Sequence, residues 1–563
     1  MANNKIQRTS KSESASSTQR RTGRGKMSRS GRHNSRGAGS HTNESINSKT
    51  NVETSTSNPF SWYDNNPGLI HDAANIAFGV PLGTPIQLAN GDAVTNAGIC
   101  CLYYYPTPGW SADGTSPINR SATKFMTYLR SVMKAASTYD SADIVMYLMA
   151  LDSLYSYWAL LRRAYGVATL YTPINKYYPR QLLQYMGFDP SIADNLAELR
   201  AYINKFALSL SAYTMPESFD LTARHMWMTG GLYLDSNTTR AQTYMFVPRG
   251  FWLYDNTVET GSQLTFSEWW VPTSTGTPLH TLEDVKFFGS ALLNAIVGDQ
   301  DFDYISGDLY VAYKSATRSL VEVEEGYRIL PVYDQTVLSQ IENAIMVGDA
   351  INTTQTPFTI RQNPSINNGA VIFKPSFKAG IQSQYIGSVK YNYTPMFQHR
   401  DQFINMHWDS PTPEQVTEAT RLMATTHVDF EAVPDTDAPE AQGVVIAEFA
   451  SDVVSTVAVV QYNANNYPAT NALILTSNAI LVKTDITAQQ ASDALQAVAL
   501  MQQFDWAPML YIYSVPNFSA TIKYADLIRI AADVDNITMI TGPQLSNIHY
   551  YALSSLFVLP TPN

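Results

Sequence analysis

Apolar positions along this chain fall into three regimes. Residues 1–50 hold no Leu and no aromatic residue, and nothing apolar recurs there at a structural period. At Asn58-Pro59-Phe60-Ser61-Trp62-Tyr63 three aromatics arrive within four positions, and a folded body begins. From about 120 to 215 the period is helical, with Phe125, Tyr128, Leu129 and Val132 on one stripe. Asp140-Ser141-Ala142-Asp143 then offers capping groups to a long run ending at Tyr165-Gly166. In that run Ile144, Tyr147, Leu148, Leu151, Leu154, Tyr155, Trp158 and Leu161 mark one face. Val145, Met146 and Met149 make the rest apolar too, which predicts a helix buried nearly all round. Residues 144–161 are also long enough for a membrane span. Asp152, with Ser153 and Ser156 beside it, opposes that reading at a cost on the order of a few kcal/mol in hydrocarbon. A further helix follows Asp189-Pro190, its stripe of Ile192, Leu196, Leu199, Ile203, Phe206 and Leu210 alternating steps of four and three.

Between about 220 and 410 the pattern is mixed. Helices are predicted over 284–297 and 334–347, and extended chain over Ile305 to Tyr313 and Val321 to Tyr327. In the latter, Glu322, Glu324 and Glu325 alternate with Val321 and Val323 as the wet face of a strand would. Thr412-Pro413-Glu414-Gln415 and Thr487-Ala488-Gln489-Gln490 have capping-box form. Leu473 to Thr476 and Ala479 to Val482 flank Ser477-Asn478 as a hairpin would, and Met509 to Tyr513 is a further strand. No repeat of fixed period occurs. The body therefore reads as α+β with a strong helical block near its start.

Composition sharpens this picture. Of 563 residues 45% are hydrophobic and only 15% charged, against a usual charged share of about 25%. A largely disordered chain is excluded, and the length suggests roughly two to four domains. The net charge of -11 divides sharply. Residues 1–57 carry eleven Lys and Arg against Glu13, Glu44 and Glu53, which is +8, so the remaining 26 basic and 45 acidic residues leave −19. A Ser-, Arg-, Gly- and Asn-rich segment with nothing to bury cannot offset its ordering entropy, so residues 1–57 are expected to be a disordered basic arm. The same lack of apolar residues argues against a secretory or mitochondrial targeting role for it.

Candidate chemistry is sparse. Cys100 and Cys101 are adjacent and read as two reduced, buried thiols. No phosphate-binding loop, nucleophile elbow or His-Glu-x-x-His occurs, and no His pair has i, i+4 spacing. Asp299-Gln300-Asp301-Phe302-Asp303 starts like a calcium loop, but Tyr304 and Tyr310 stand where the turn Gly and the bidentate Glu belong, so a solvated acidic turn is expected. No catalytic residue, metal site or cofactor is expected. The functional signal lies in the arm, where Lys5, Arg8, Lys11, Arg20, Arg21, Arg24, Lys26, Arg29, Arg32 and Arg36 stand among small, flexible residues. Such cations find phosphates without reading bases, and neutralising up to about ten phosphates makes binding steeply salt-dependent. A body at −19 would repel the same polyanion. A large acidic body with a basic terminus suits a shell subunit whose arm reaches inward to a genome. Its aromatic residues are then expected to concentrate at subunit interfaces. The rival readings are a nucleic-acid-processing enzyme with a basic tether and a non-viral RNA-binding protein with a targeting tail.

Trp62-Tyr63-Asp64-Asn65-Asn66-Pro67-Gly68-Leu69 with Asp72-Ala73-Ala74, Gly83-Thr84-Pro85, the run Tyr139 to Asp143 through Asp152-Ser153-Leu154-Tyr155-Ser156 to Arg163-Ala164-Tyr165-Gly166, Met186-Gly187-Phe188-Asp189 and Arg224-His225-Met226-Trp227 together resemble the picobirnavirus capsid protein family. These blocks lie within 62–250. The resemblance implies the coat of a non-enveloped double-stranded RNA virus, self-assembling as dimers into an icosahedral T=1 shell. Its implied partners are further copies of itself, viral genomic RNA and an enclosed viral polymerase, with no membrane, in a virion assembled in the host cytoplasm. The implied layout is a basic RNA-facing arm over 1–57, a predominantly helical shell domain over 58–250, a mixed α/β projecting domain over 251–450 and an α+β segment over 451–563 returning to the shell. Self-cleavage of the N-terminal segment in at least one family member makes Asn51, Asn58, Asn65 and Asn66 candidate cleavage positions, since an Asn amide can attack its own carbonyl.

Overall fold

The computed structural model describes residues 60–557 apart from 79–85, 171–177, 257–260, 273–277, 353–356, 378–381, 394–400, 429–443, 462–471, 484–487, 516–525 and a few stretches of one to three residues. The described residues up to 78 belong to one unit and those from 86 onward to another. In the first, a short 3-10 turn at Phe60–Trp62 precedes the helix Pro67–Ala74. Asn66 caps that helix, its side-chain oxygen accepting from the Gly68 amide at 3.0 Å.

The large unit is organised around the helix Ser141–Ala168. Its N-terminus is tied by the Asp143 carboxylate, which accepts from the Asp140 amide at 2.8 Å. All of its residues except Ser141, Asp143, Arg162 and Ala168 are buried. The helix is long and apolar enough to cross a membrane, yet its whole apolar window is enclosed by protein. Helices Pro117–Met133, Tyr178–Tyr185, Leu196–Leu210, Asp220–Gly230, Leu282–Asn294 and Gln300–Tyr313 pack against it or each other. Tyrosines fasten it to connecting segments. The Tyr147 hydroxyl donates to the Thr214 carbonyl at 2.9 Å, Tyr157 to Val285 at 2.7 Å and Tyr165 to Glu325 at 2.9 Å.

Against this helical layer lies a mixed five-stranded sheet. Its order is Ala472–Leu475, Asp452–Gln461, Ala97–Pro106, Thr243–Pro248 and Tyr233–Leu234. Ala97–Pro106 runs antiparallel to Asp452–Gln461 and parallel to Thr243–Pro248. Alternation along this central strand divides two cores. Ile99, Cys101, Tyr103 and Tyr105 face the helical core. Cys100, Leu102 and Tyr104 face a second core with Phe246, Leu338, Ile341, Leu500, Phe504 and Leu510. The two free cysteines therefore point to opposite faces of one strand, and burial pushes both thiols up. A third core gathers Ile345, Ile404, Met406, Met423, Met509, Tyr511, Ile540 and Leu545. A four-stranded antiparallel sheet, Gly250–Asp255 to Ala370–Ile372, covers the central helix from another side. The Trp252 amide donates to the Ser153 hydroxyl at 3.0 Å there.

The α+β reading and the buried helix agree with the structure, but several elements differ. Ile305 to Tyr313 is not extended: it belongs to the helix Gln300–Tyr313. Asp299 is its cap, accepting from the Asp301 and Phe302 amides at 3.0 and 3.1 Å, rather than part of a free acidic turn. Phe302, Ile305, Leu309 and Ala312 fall at helical spacing on its buried face, so packing overrides the β-leaning composition. The helix predicted over 334–347 stops at Glu342. Beyond it the chain extends, with the Ile345 and Val347 amides donating to the Leu422 and Val454 carbonyls at 3.1 and 2.9 Å. Residues 321–327 join no strand among the described residues, and their second half is a turn, the Tyr327 amide donating to the Glu324 carbonyl at 3.1 Å. Asn204 takes a strand's place, accepting from the Val323 amide at 2.8 Å, while Glu322, Glu324 and Glu325 are exposed. The helix expected directly after Asp189-Pro190 is a 3-10 turn, Pro190–Asp194, broken at Asn195 before Leu196–Leu210.

The hairpin about Ser477-Asn478 is a crossover instead. Ala472–Leu475 pairs with Asp452–Gln461, whereas Ala479–Lys483 pairs in parallel with Leu510–Val515. Asn478 is fully buried between them. Its side chain accepts from the Met346 amide at 2.6 Å and donates to the Ala344 and Met509 carbonyls at 3.0 and 2.8 Å.

Candidate functional site

Among the described residues a largely buried cluster of ionisable side chains joins three distant parts of the chain. Asp152 comes from the middle of the central helix, Arg224 and His225 from Asp220–Gly230, and Ser451-Asp452 from the start of the strand beside Ala97–Pro106. His225 Nδ1 lies 2.7 Å from Asp152 Oδ2, and its Nε2 lies 3.2 Å from Asp452 Oδ1. Arg224 Nε donates to Asp452 Oδ2, and the Ser451 hydroxyl donates to the same oxygen at 2.8 Å. Asp152, His225 and Asp452 are all buried.

Burial opposes charge on the His225 ring, but the Asp152 carboxylate, followed by Asp452, outweighs it and pushes His225 up to about 10. At Asp452 burial also works against charge, and Arg224 with His225 overcomes it, holding this carboxyl well below the usual carboxylate range. An Asp–His–Asp array with a neighbouring Ser invites comparison with a catalytic triad. The geometry is unlike one, because His225 Nε2 meets Asp452 and the Ser451 carbonyl, 3.3 Å away, instead of the Ser451 hydroxyl. No solvent reaches the ring. The arrangement holds the helical layer and the sheet together.

Two smaller groups lie nearer the C-terminal part. Glu342 is buried, with Oε1 accepting from Asn405 Nδ2 at 2.6 Å and lying 3.1 Å from His407 Nε2. Burial raises Glu342, while its hydrogen bond with Glu342 raises His407. Arg421 and His549 form the third group, with Arg421 Nη2 3.4 Å from His549 Nδ1, both buried. Among the described residues no three His, Cys, Asp or Glu side chains converge as a metal site would require.

Sequence reasoning missed these groupings. Their signals were Asp152 inside an otherwise apolar helix and Arg224-His225 inside a conspicuous motif, but the Asp452 partner lies more than two hundred residues away in sequence. The arm cations Lys5, Arg8, Lys11, Arg20, Arg21, Arg24, Lys26, Arg29, Arg32 and Arg36, together with Asn51 and Asn58, lie outside the described residues. Asn65 and Asn66 are described, and Asn66 serves as the helix cap.

Comparison with known proteins gives this architecture its class. The sequence profile of the picobirnavirus capsid protein family matches residues 62–521. A capsid protein precursor of a human picobirnavirus (strain Human/Thailand/Hy005102/-) is 32% identical over 531 residues, covering 90% of this chain and 92% of that protein. The X-ray crystallographic structure of the picobirnavirus capsid superposes with a TM-score of 0.70 at 21% identity, covering 89% of this chain and 98% of the other. The fold is thus that of a virus shell protein. The chain belongs to the picobirnavirus capsid protein family, with a structural role in the virion.

Proposed function

We propose that this coat protein pairs into dimers that close a T=1 icosahedral shell, and that residues 1–57 package the double-stranded RNA genome from the inside. The division of charge carries this reading, +8 on the arm against −19 on the body. Arm cations gain by counterion release along RNA, while the acidic body keeps the polyanion off its own surface. Large apolar side chains exposed along 60–78, among them Phe60, Trp62, Tyr63, Ile76 and Phe78, suit contact with further copies.

In this scheme the helical part of 58–250 is shell, 251–450 projects outward, and 451–563 returns to the shell. Pairing of Asp452–Gln461 with Ala97–Pro106 supports the return. Assembly takes place in the host cytoplasm with the polymerase enclosed. Asn51, Asn58, Asn65 and Asn66 are the proposed positions of self-cleavage, in keeping with the human relative being a capsid protein precursor. The Asn66 side chain is engaged in capping, which tells against cleavage there.

Deletion of residues 1–57 tests the packaging role. Electron microscopy should still show particles, while their 260/280 nm absorbance ratio falls to that of protein alone. Truncated particles with full RNA content would refute it. Intact mass of assembled wild-type particles tests cleavage, and full-length chain alone would remove it.

A further inference from the structure

The C-terminal helix Gly542–Leu556 docks through Leu545, His549 and Leu553, with Phe557 beyond its end. His549 is the one ionisable side chain on that buried face. It meets the Arg421 guanidinium, Nη2 lying 3.4 Å from its Nδ1. Arg421 also donates from Nε to the Thr417 carbonyl at 2.9 Å and from Nη2 to the Thr420 hydroxyl at 3.1 Å. Among the described residues no carboxylate pairs directly with Arg421, and its Nη1 has no hydrogen-bond partner. A buried cation thus faces a ring that fits only as a neutral acceptor. A second positive charge there would have neither solvent nor a counter-ion.

We propose that the C-terminal helix is an acid-released element, seated at neutral pH by an uncharged His549 against Arg421 and undocked when His549 takes up a proton.

The neighbours of the helix bear on this, and at its start the Asp401 carboxylate accepts from the Gly542 amide at 3.0 Å. The turn Thr420–Leu422 supplies Arg421. Helix Pro117–Met133 supplies Arg120, Lys124 and Arg130, all exposed, with Arg120 donating to the Tyr550 hydroxyl. The strands Ala424–Val428 and Val444–Phe449 carry His427 and Glu448, whose side chains lie outside the described ones. Farther off, Asp452 favours and Arg224 disfavours the Arg421 charge, which burial chiefly pushes down to about 9, still charged at neutral pH. Burial first and Arg421 second hold His549 well below the ordinary histidine value, and the Met423 backbone opposes them without offsetting them. A base held down in the folded state contributes stability that is whole above about pH 6.5 and lost as pH falls below it, by about tenfold in the docking equilibrium per pH unit.

The test is hydrogen exchange of the full-length protein between pH 7.5 and 5.5, corrected for intrinsic rates and read on peptides spanning 542–557. Protection there should fall about tenfold from pH 7.5 to 5.5, most of it below pH 6.5, while the central helix 141–168 holds. His549→Gln should abolish the fall, and His427→Gln should leave it. Arg421→Gln removes the neighbouring charge but not the burial, so the fall should level off at a higher pH, and this variant decides the matter if His549→Gln does not fold. Protection independent of pH in the wild type, a uniform loss over the whole chain, or a fall that follows His427 would overturn the proposal.

Discussion

Replacing Asp152 by Asn removes one charge from the largely buried Asp152–His225–Asp452–Arg224 cluster with little change in shape. His225 then keeps one carboxylate neighbour, 3.2 Å from Nε2, where it had two. Removing one partner of a buried pair typically costs about 3–5 kcal/mol, because the other charge stays buried. The raised His225 gives an independent ceiling. From 6.5 to about 10 is 3.5 pH units, worth about 1.4 kcal/mol each, or about 5 kcal/mol shared between the two carboxylates. The sign follows from the direction. A histidine raised on folding contributes fully below about pH 6.5, and its contribution drains away as pH climbs toward 10. Wild-type protein should therefore lose about 3 kcal/mol through this group between pH 7 and 9, and Asp152→Asn should be weaker at pH 7 by about 3 kcal/mol with a shallower alkaline slope. Urea unfolding followed by tryptophan fluorescence at pH 7 and 9 measures both, at one fixed protein concentration because assembly is linked to stability. Equal midpoints at pH 7, or the same alkaline slope in both proteins, would refute the reasoning.

Two local predictions use the same assay. Gly187 has φ +88°, and a Cβ there would sit 2.6 Å from the Trp270 Cβ and 2.9 Å from the Trp269 Nε1, so Gly187→Ala should cost about 2–4 kcal/mol through strain and overlap. An Asn478→Ala variant loses three hydrogen bonds to buried backbone groups at 2.6, 2.8 and 3.0 Å. It should lose about 3 kcal/mol or more, with exchange rising first at the Met346 amide, which loses its acceptor.

What the sequence revealed follows a physical division. The helix 141–168 was legible because its signal is local: acidic cap, apolar run and length sit in one stretch. The strand Leu510–Val515 was legible for the same reason. The helix at 300–313 was misread because Phe302, Ile305, Tyr310 and Val311 favour strands, and only packing against neighbouring helices selects the helical alternative. The false hairpin arose because Ser477-Asn478 has turn composition, whereas Asn478 is fixed by partners at 344, 346 and 509, none of them local. The ionic cluster was hidden more deeply. A lone Asp in an apolar helix announces a buried partner without naming it, and Asp452 becomes that partner's neighbour only once the sheet has formed.

The same distance between composition and placement alters what the aromatic content means. It was expected to serve subunit interfaces, yet Tyr103, Tyr104, Tyr105, Tyr147, Tyr157, Tyr244 and Trp252 are all buried within one chain. Several give their polar atom a fixed acceptor inside the protomer, as Tyr103 does with the Tyr185 carbonyl at 2.8 Å and Trp252 with the Pro106 carbonyl at 2.7 Å. These rings stiffen the subunit before any copy meets another. What remains for contact is a smaller set, including Phe60, Trp62 and Phe78 near the N-terminus and Phe287, Tyr304 and Tyr310 on the helices 282–294 and 300–313. A low charged fraction is therefore explained first by a large internal core with three compartments, and association between copies needs only the exposed minority of its apolar residues.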